Sequence, residues 1–108
     1  MNSMKQERML DNVHLAVEVP LPSLIREQTR EQATMLLLRH ASRFGAAQLN
    51  VRLKLDGPQI ACLLSLHTDD GRYHASATDW DVRSAVSQAL GSVESQVVKR
   101  FEKRTAQT

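Results

Sequence analysis

Residues 49–77 read LNVRLKLDGPQIACLLSLHTDDGRYHASA, and the fold follows from how this stretch alternates. Leu49, Val51, Leu53 and Leu55 alternate with Asn50, Arg52 and Lys54, and Ile60, Cys62, Leu64 and Leu66 alternate with Ala61, Leu63, Ser65 and His67. A period of two is that of a strand with one buried face. Asp56-Gly57, followed by Pro58, interrupts the first run, and Asp70-Gly71 interrupts the second before Tyr73, Ala75 and Ala77 resume it, so both junctions predict hairpin turns. A loop at Asp70-Gly71 places His67 opposite His74. The result is a meander of three strands.

Upstream, Val13, Leu15, Val17 and Val19 alternate with His14, Ala16 and Glu18 as a further strand, ended by Pro20 and Pro22. Ser23 is the expected N-cap of a helix reaching about Phe44, with Gly45 as its stop and Ile25, Thr29, Ala33, Leu36 and His40 as its core face. Downstream, Thr78 or Asp79 is the expected cap of a second helix ending near Lys103. Its apolar residues Val82, Ala85, Val86, Ala89, Leu90, Val93, Val97 and Phe101 fall at helical spacing.

The order β-α-β-β-β-α predicts an α+β fold, a two-layer sandwich of a four-stranded sheet with both helices on one face. A right-handed crossover makes the first strand parallel to the second. The other sheet face then meets solvent with His14, Arg52, Lys54, Ser65, His67, Arg72, His74 and Ser76. Residues 1–11 are expected to be a flexible leader, 12–104 one domain and 105–108 a short tail.

With 108 residues, 42% of them hydrophobic and 24% charged, the chain can bury a single core, which excludes global disorder and a two-domain machine. No apolar run approaches the roughly 20 residues that cross a bilayer, so no membrane role is expected. The first residues carry Lys5, Glu7, Arg8 and Asp11 without the apolar segment of an export signal, and the expected location is cytoplasmic. The lone Cys62 excludes an internal disulfide and a thiolate zinc site. It also falls on the inward set of its strand, where cysteine acts as a small hydrophobe.

No glycine-rich phosphate loop is present, because Gly45, Gly57, Gly71 and Gly91 are scattered. Asp69 and Asp70 fit turn chemistry better than acid–base catalysis. His67 and His74 could together hold a divalent ion, but a durable site needs a third or fourth ligand and the sequence offers none, so no metal, cofactor or enzymatic activity is expected. Trp80 stands where an aromatic often seals the edge of a core. With aromatics at 4% of the chain, base stacking is not the expected mode of binding. The net charge is +2, from 14 Lys+Arg against 12 Asp+Glu, and its placement matters more than its size. Lys99-Arg100-Phe101-Glu102-Lys103-Arg104 is the most basic segment, one that phosphates attract and that a helix C-terminus also favours.

The segment His74-Ala75-Ser76-Ala77, followed by Asp81, Ala85, Val86, Val93, Glu94, Gln96, Lys99 and Lys103, resembles the short ribosome hibernation-promoting factors and ribosome-associated inhibitors of bacteria. Leu24-Ile25-Arg26 stands where that family's first helix begins, and the likeness covers the element order from Val13 to Arg104. The resemblance implies a translation silencer that lodges in the small ribosomal subunit near the messenger and transfer RNA sites under stress or in stationary phase. Translation would stop by occlusion, held by Lys and Arg against 16S rRNA phosphates. It maps RNA contacts onto Arg26, Lys99 and Lys103, and Arg30, Arg39, Arg43, Arg83, Arg100 and Arg104 are basic residues beside them. Arg52, Lys54, His67 and His74 are the expected contacts on the sheet face.

Departures from that pattern remove positive charge. Met35 stands where the family commonly has lysine, and Ser92 and Ser95 stand where it has Lys and Arg, while Arg83 replaces the usual tyrosine. Met35 and Leu38 are expected to leave an apolar strip on the outer side of the first helix. These departures support an alternative, a protein-interaction module or weak homodimer on the same fold with reduced RNA binding.

Overall fold

Alternating branched and aliphatic residues, punctuated by turn residues, give four strands. The structure, a computed structural model, describes residues 12–107 except the side chains of 42, 43 and 103–107. Strands β1 (Val13–Val17), β2 (Ala47–Asp56), β3 (Gln59–Thr68) and β4 (Gly71–Asp79) form one sheet in the order β1-β2-β3-β4. β1 runs parallel to β2, with Val13 opposite Leu49, and the other pairs are antiparallel. Helix α1 (Ser23–Arg39) and the single turn α2 (Ala41–Phe44) connect β1 to β2, and α3 (Val82–Gln107) follows β4. The leader expected at residues 1–11 lies outside the described residues.

One face of the sheet carries the core. Leu49, Val51, Leu53, Cys62, Leu64, Leu66 and Tyr73 meet Ala33, Leu36 and Leu37 of α1 and Ala85, Val86, Ala89, Val93 and Val97 of α3, all buried. α1 covers β1 and β2 while α3 covers β3 and β4, so both helices lie on the expected side. Each fully buried Leu or Val contributes about 1.5–3 kcal/mol relative to exposure. The buried face of α1 is wider than the expected stripe, since Leu37 and Thr34 join it. Its two threonines satisfy themselves within the helix, with Thr29 Oγ1 donating to the Ile25 carbonyl at 2.9 Å and Thr34 Oγ1 to that of Arg30 at 2.8 Å.

The helix limits differ from the sequence expectation in four ways. Pro22, not Ser23, occupies the cap position of α1: its carbonyl accepts from the Arg26 amide at 3.0 Å, and no side chain caps the turn. The expected single helix to Phe44 breaks at His40, which leaves helical geometry at φ −117°, ψ 18°. The break turns Phe44 into the core and lays the His40 ring 5.7 Å from the Phe44 ring. The cap of α3 is Asp81 rather than Thr78 or Asp79, with Asp81 Oδ2 accepting from the Ser84 amide at 3.3 Å. At its other end α3 runs to Gln107, past the expected end near Lys103.

The second hairpin is shifted by two residues from the expected register. Thr68 pairs with Gly71, His67 with Arg72 and Ser65 with His74, so Asp69-Asp70 is the loop. Asp69 is tied to the chain before β2: its amide donates to the Phe44 carbonyl at 3.2 Å and its Oδ2 accepts from the Ala46 amide at 3.0 Å. The Thr68 hydroxyl accepts from the Asp70 amide and donates to the Gly71 carbonyl, closing the turn one residue early. Gly71 then sits within the strand at φ 143°, where a Cβ would also meet Arg100 Nη1 at 2.7 Å. An even shift keeps every side chain on its expected face.

Candidate nucleic-acid interface

The cations that the sequence singles out differ in exposure and in what they bond. Arg26 and Arg83 are exposed in the first turns of α1 and α3, and Lys99 is exposed near the far end of α3. Three others are already engaged. Arg30 is half-buried and donates from Nη1 to the Val13 carbonyl at 3.3 Å. Arg39 forms an ion pair with Glu94 at 3.0 Å. Arg100 donates to the Asp70 carbonyl at 2.6 Å and lies 5.7 Å from the centroid of the Tyr73 ring. The side chains of Arg43, Lys103 and Arg104 lie outside the described residues.

On the open sheet face, an open groove of about 740 Å³ is lined by Asn50, Arg52, Leu63, Ser65, His74 and Ser76 among others. Arg52 is not a free cation there. Its guanidinium donates to both Glu18 carboxylate oxygens, at 3.0 and 3.3 Å, and this hydrogen bonding holds the Glu18 carboxyl below its usual range and the Arg52 guanidinium above its own. Lys54 is half-buried and Arg72 exposed on the same face. His67 and His74, no longer opposite, remain diagonal neighbours with ring centroids 6.3 Å apart, edge to face. His67 Nε2 shares a hydrogen bond with Ser65 Oγ at 2.8 Å, and His14 shares one with Gln48 at the same distance. Among the described residues no group of three His, Cys, Asp or Glu is placed to hold a metal ion. No helix there is long and apolar enough to cross a membrane.

The opposite surface is a groove between α1 and α3, lined by Glu31, Gln32, Met35, Arg39, Ser87, Leu90, Gly91 and Glu94. Met35 is 51% exposed and Leu38 half-buried, so Met35 offers more of the expected apolar surface than Leu38 does. Two carboxylates and one arginine make this groove a poor seat for phosphate. Neutralisation of Arg39 by Glu94 and of Arg52 by Glu18 is what the sequence reading missed. Glu18 stands two residues beyond Ala16, which pairs with Arg52, so the parallel register could have signalled that pair. Nothing local signals the Arg39 pair, because it depends on how two helices cross.

Cys62 is buried, as its strand position predicts, and desolvation pushes its thiol up to about 12. The group stays protonated at neutral pH and does not act as a nucleophile. Native protein at pH 8 is therefore expected to react with a thiol reagent at least about a hundredfold more slowly than urea-unfolded protein. Equal rates would show that the strand opens readily or that the side chain faces water.

No protein-family model matches the sequence, and no curated protein matches it. Solved structures do match. The Thermus thermophilus Protein Y N-terminal domain aligns with a TM-score of 0.67 and 22% identity, covering 83% of this chain and 98% of that one. A ribosomal subunit interface protein from Coxiella burnetii aligns with a TM-score of 0.64 and 14% identity, covering 83% and 97%. At these identities the likeness is one of fold, and the element order expected from the alternating runs and helical stripes is the order found.

Proposed function

We propose that this protein is a ribosome-associated translation silencer that binds the small subunit through its ribosomal RNA and promotes hibernation by occluding the decoding region. The observation that carries the reading is the shared fold: one matched structure is a ribosomal subunit interface protein, and the alignment spans almost the whole of it. The exposed Arg26, Arg83 and Lys99, together with Arg72 on the sheet face, supply positive charge that is in no ion pair among the described residues, and Lys54 adds a charge that Glu18 partly offsets. Binding of this kind makes and breaks no bond. It rests on phosphate contacts, each adding about 0.9 to the slope of log affinity against log salt.

The test is co-sedimentation with purified small subunits at low and moderate salt, beside a Lys99→Glu, Lys103→Glu double variant. The wild type should pellet at low salt and release as salt rises. Four phosphate contacts would cost it roughly two orders of magnitude in affinity between 50 and 200 mM salt. The double variant should release at lower salt. Absent or salt-insensitive pelleting would overturn the reading.

A further inference from the structure

The two edges of the sheet are finished differently. Side chains of α3 reach over β4 and the turn before it, with Gln96 Nε2 donating to the His74 carbonyl at 2.8 Å and Arg100 Nη2 to that of Asp70 at 2.6 Å. At the β1 edge, Arg30 alone among the described side chains reaches the backbone, and only at the first residue, through the Val13 carbonyl at 3.3 Å. The ladder decides which other groups face out. The Leu49 amide donates to the Asn12 carbonyl at 2.9 Å and the Glu18 amide to the Leu53 carbonyl at 2.8 Å, so Asn12, His14, Ala16 and Glu18 bond toward β2. Val13, Leu15 and Val17 therefore point their amides and carbonyls away from the sheet. Among the described residues nothing bonds those of Leu15 and Val17.

The side chains at this edge are incompletely covered as well. Leu15 and Val17 lie on the core face yet are half-buried, whereas Val51 and Leu53 beside them are buried. Leu21, before α1, and Ile25, in its first turn, are half-buried too. Neither lysine, proline nor a bulge interrupts Val13–Val17, so these devices against edge pairing are missing.

We infer that β1 is a self-association surface, at which two copies of this chain pair their β1 edges antiparallel about Leu15 and join two four-stranded sheets into a continuous one. The inference rests on the fold and does not depend on the ribosomal reading. The edge is complementary to itself. A two-fold axis beside Leu15 sets Leu15 against Leu15 of the second copy and Val13 against its Val17, and the outward amides and carbonyls of these pairs exchange about six hydrogen bonds. A carbonyl accepts two bonds, so Arg30 does not close the Val13 position. The axis stands perpendicular to the sheet, so both core faces stay on one side and the half-buried Leu15 and Val17 of each copy cover those of the other. On the open face His14 comes opposite Ala16 and Glu18 opposite Asn12, with no like charges facing. The two Arg30 side chains are anchored at Val13 carbonyls about 13 Å apart along the strands, beyond the screening length at physiological salt. This match of the edge to itself favours a second copy over a foreign strand.

A short strand and a helix margin make a small interface, so the dissociation constant should be on the order of 100 µM. Sedimentation equilibrium of the full chain from about 5 µM to about 1 mM should pass from monomer to dimer. Amide exchange followed by NMR locates the contact. In the monomer the Leu15 and Val17 amides should exchange fast, while those of His14 and Ala16, bonded to β2, are protected. At a concentration that leaves about a tenth of the protein monomeric, Leu15 and Val17 should slow about tenfold. Leu15→Pro removes the central outward donor without taking a bond from the ladder to β2, and Ala16→Lys sets two lysines across the axis at exposed positions. Each should weaken dimerisation by about fivefold or more, and Ala16→Lys should melt within a few degrees of wild type. A protein still monomeric at the highest concentration overturns the inference. So does a dimer whose Leu15 and Val17 amides exchange as fast as in the monomer, or one that Ala16→Lys leaves unchanged, because the contact then lies elsewhere. Protection of both amides in the monomer also overturns it, by showing that the chain covers this edge itself.

Discussion

Leu66→Ala is expected to lower the unfolding free energy by about 2–5 kcal/mol, while Leu55→Ala changes it by less than about 0.5 kcal/mol. Leu66 is 0% exposed in the second half of the central strand β3, between Leu49 of β2 and Tyr73 of β4, where strands on both sides and the helix layer above enclose it. Leu55 is 60% exposed near the tip of the β2–β3 hairpin. For a domain of this size each kcal/mol moves the thermal midpoint by roughly 4–8 °C, so the first variant should melt about 8–40 °C lower and the second within a few degrees of wild type. Urea melts read with two probes check both. Similar losses for the two variants would contradict the core described for β2 and β3.

That contrast also shows how far alternation can be read. Leu49, Val51, Leu53 and Leu55 form one unbroken pattern in the sequence, and the first three are buried while the fourth passes the edge of the helix layer. A pattern fixes the face a residue points to, but not whether anything covers that face. The same holds for the hairpin at Asp70-Gly71. Local turn chemistry favours an Asp-Gly loop, but Asp69 is held by the Phe44–Ala46 segment 23 residues earlier, and a tertiary contact overrides the local preference. The faces survived because the error was even.

The candidate site was less legible than the fold, for a physical reason. A basic residue is useful to RNA only when its charge is unspent, and Arg39 and Arg52 are spent on carboxylates 55 and 34 residues away, while Arg100 is tethered to the Asp70 carbonyl 30 residues away. Residues that carry the resemblance also turn out to have structural work. Glu94 clasps the end of α1, and Gln96 Nε2 donates to the His74 carbonyl at 2.8 Å on the outer edge of β4, where an unpaired carbonyl would invite another strand. Trp80, expected to seal the edge of the core, is instead 69% exposed, because the helical set that packs on the sheet begins only at Val82.

Glu94→Gln should destabilise the protein at neutral pH by about 1–3 kcal/mol, with the difference fading in acid. One carboxylate oxygen, Glu94 Oε2, meets His40 Nε2 at 2.9 Å and Arg39 at 3.0 Å, so it joins the end of α1 to the middle of α3. The His40 side chain is only 12% exposed and depends on this partner, whereas Arg39 is 51% exposed and contributes little on its own. The hydrogen bond from His40, aided by Arg39 and opposed by partial burial, holds the Glu94 carboxyl below its ordinary value of 4.5. The unfolded chain therefore takes up a proton on this group at a higher pH than the folded one. Its contribution to stability is complete above the ordinary carboxylate range and is lost as pH falls through the lowered folded value. Glutamine cannot titrate, so the gap between wild type and variant should be widest from pH 6 upward and should narrow below about pH 4.5. Glu18, lowered by Arg52, titrates in the same direction but is present in both proteins and cancels in the comparison. A gap of equal size at pH 7 and pH 3 would show that shape, not charge, sets the value of this contact, and the join between the helices would then be one of packing around His40 and Phe44.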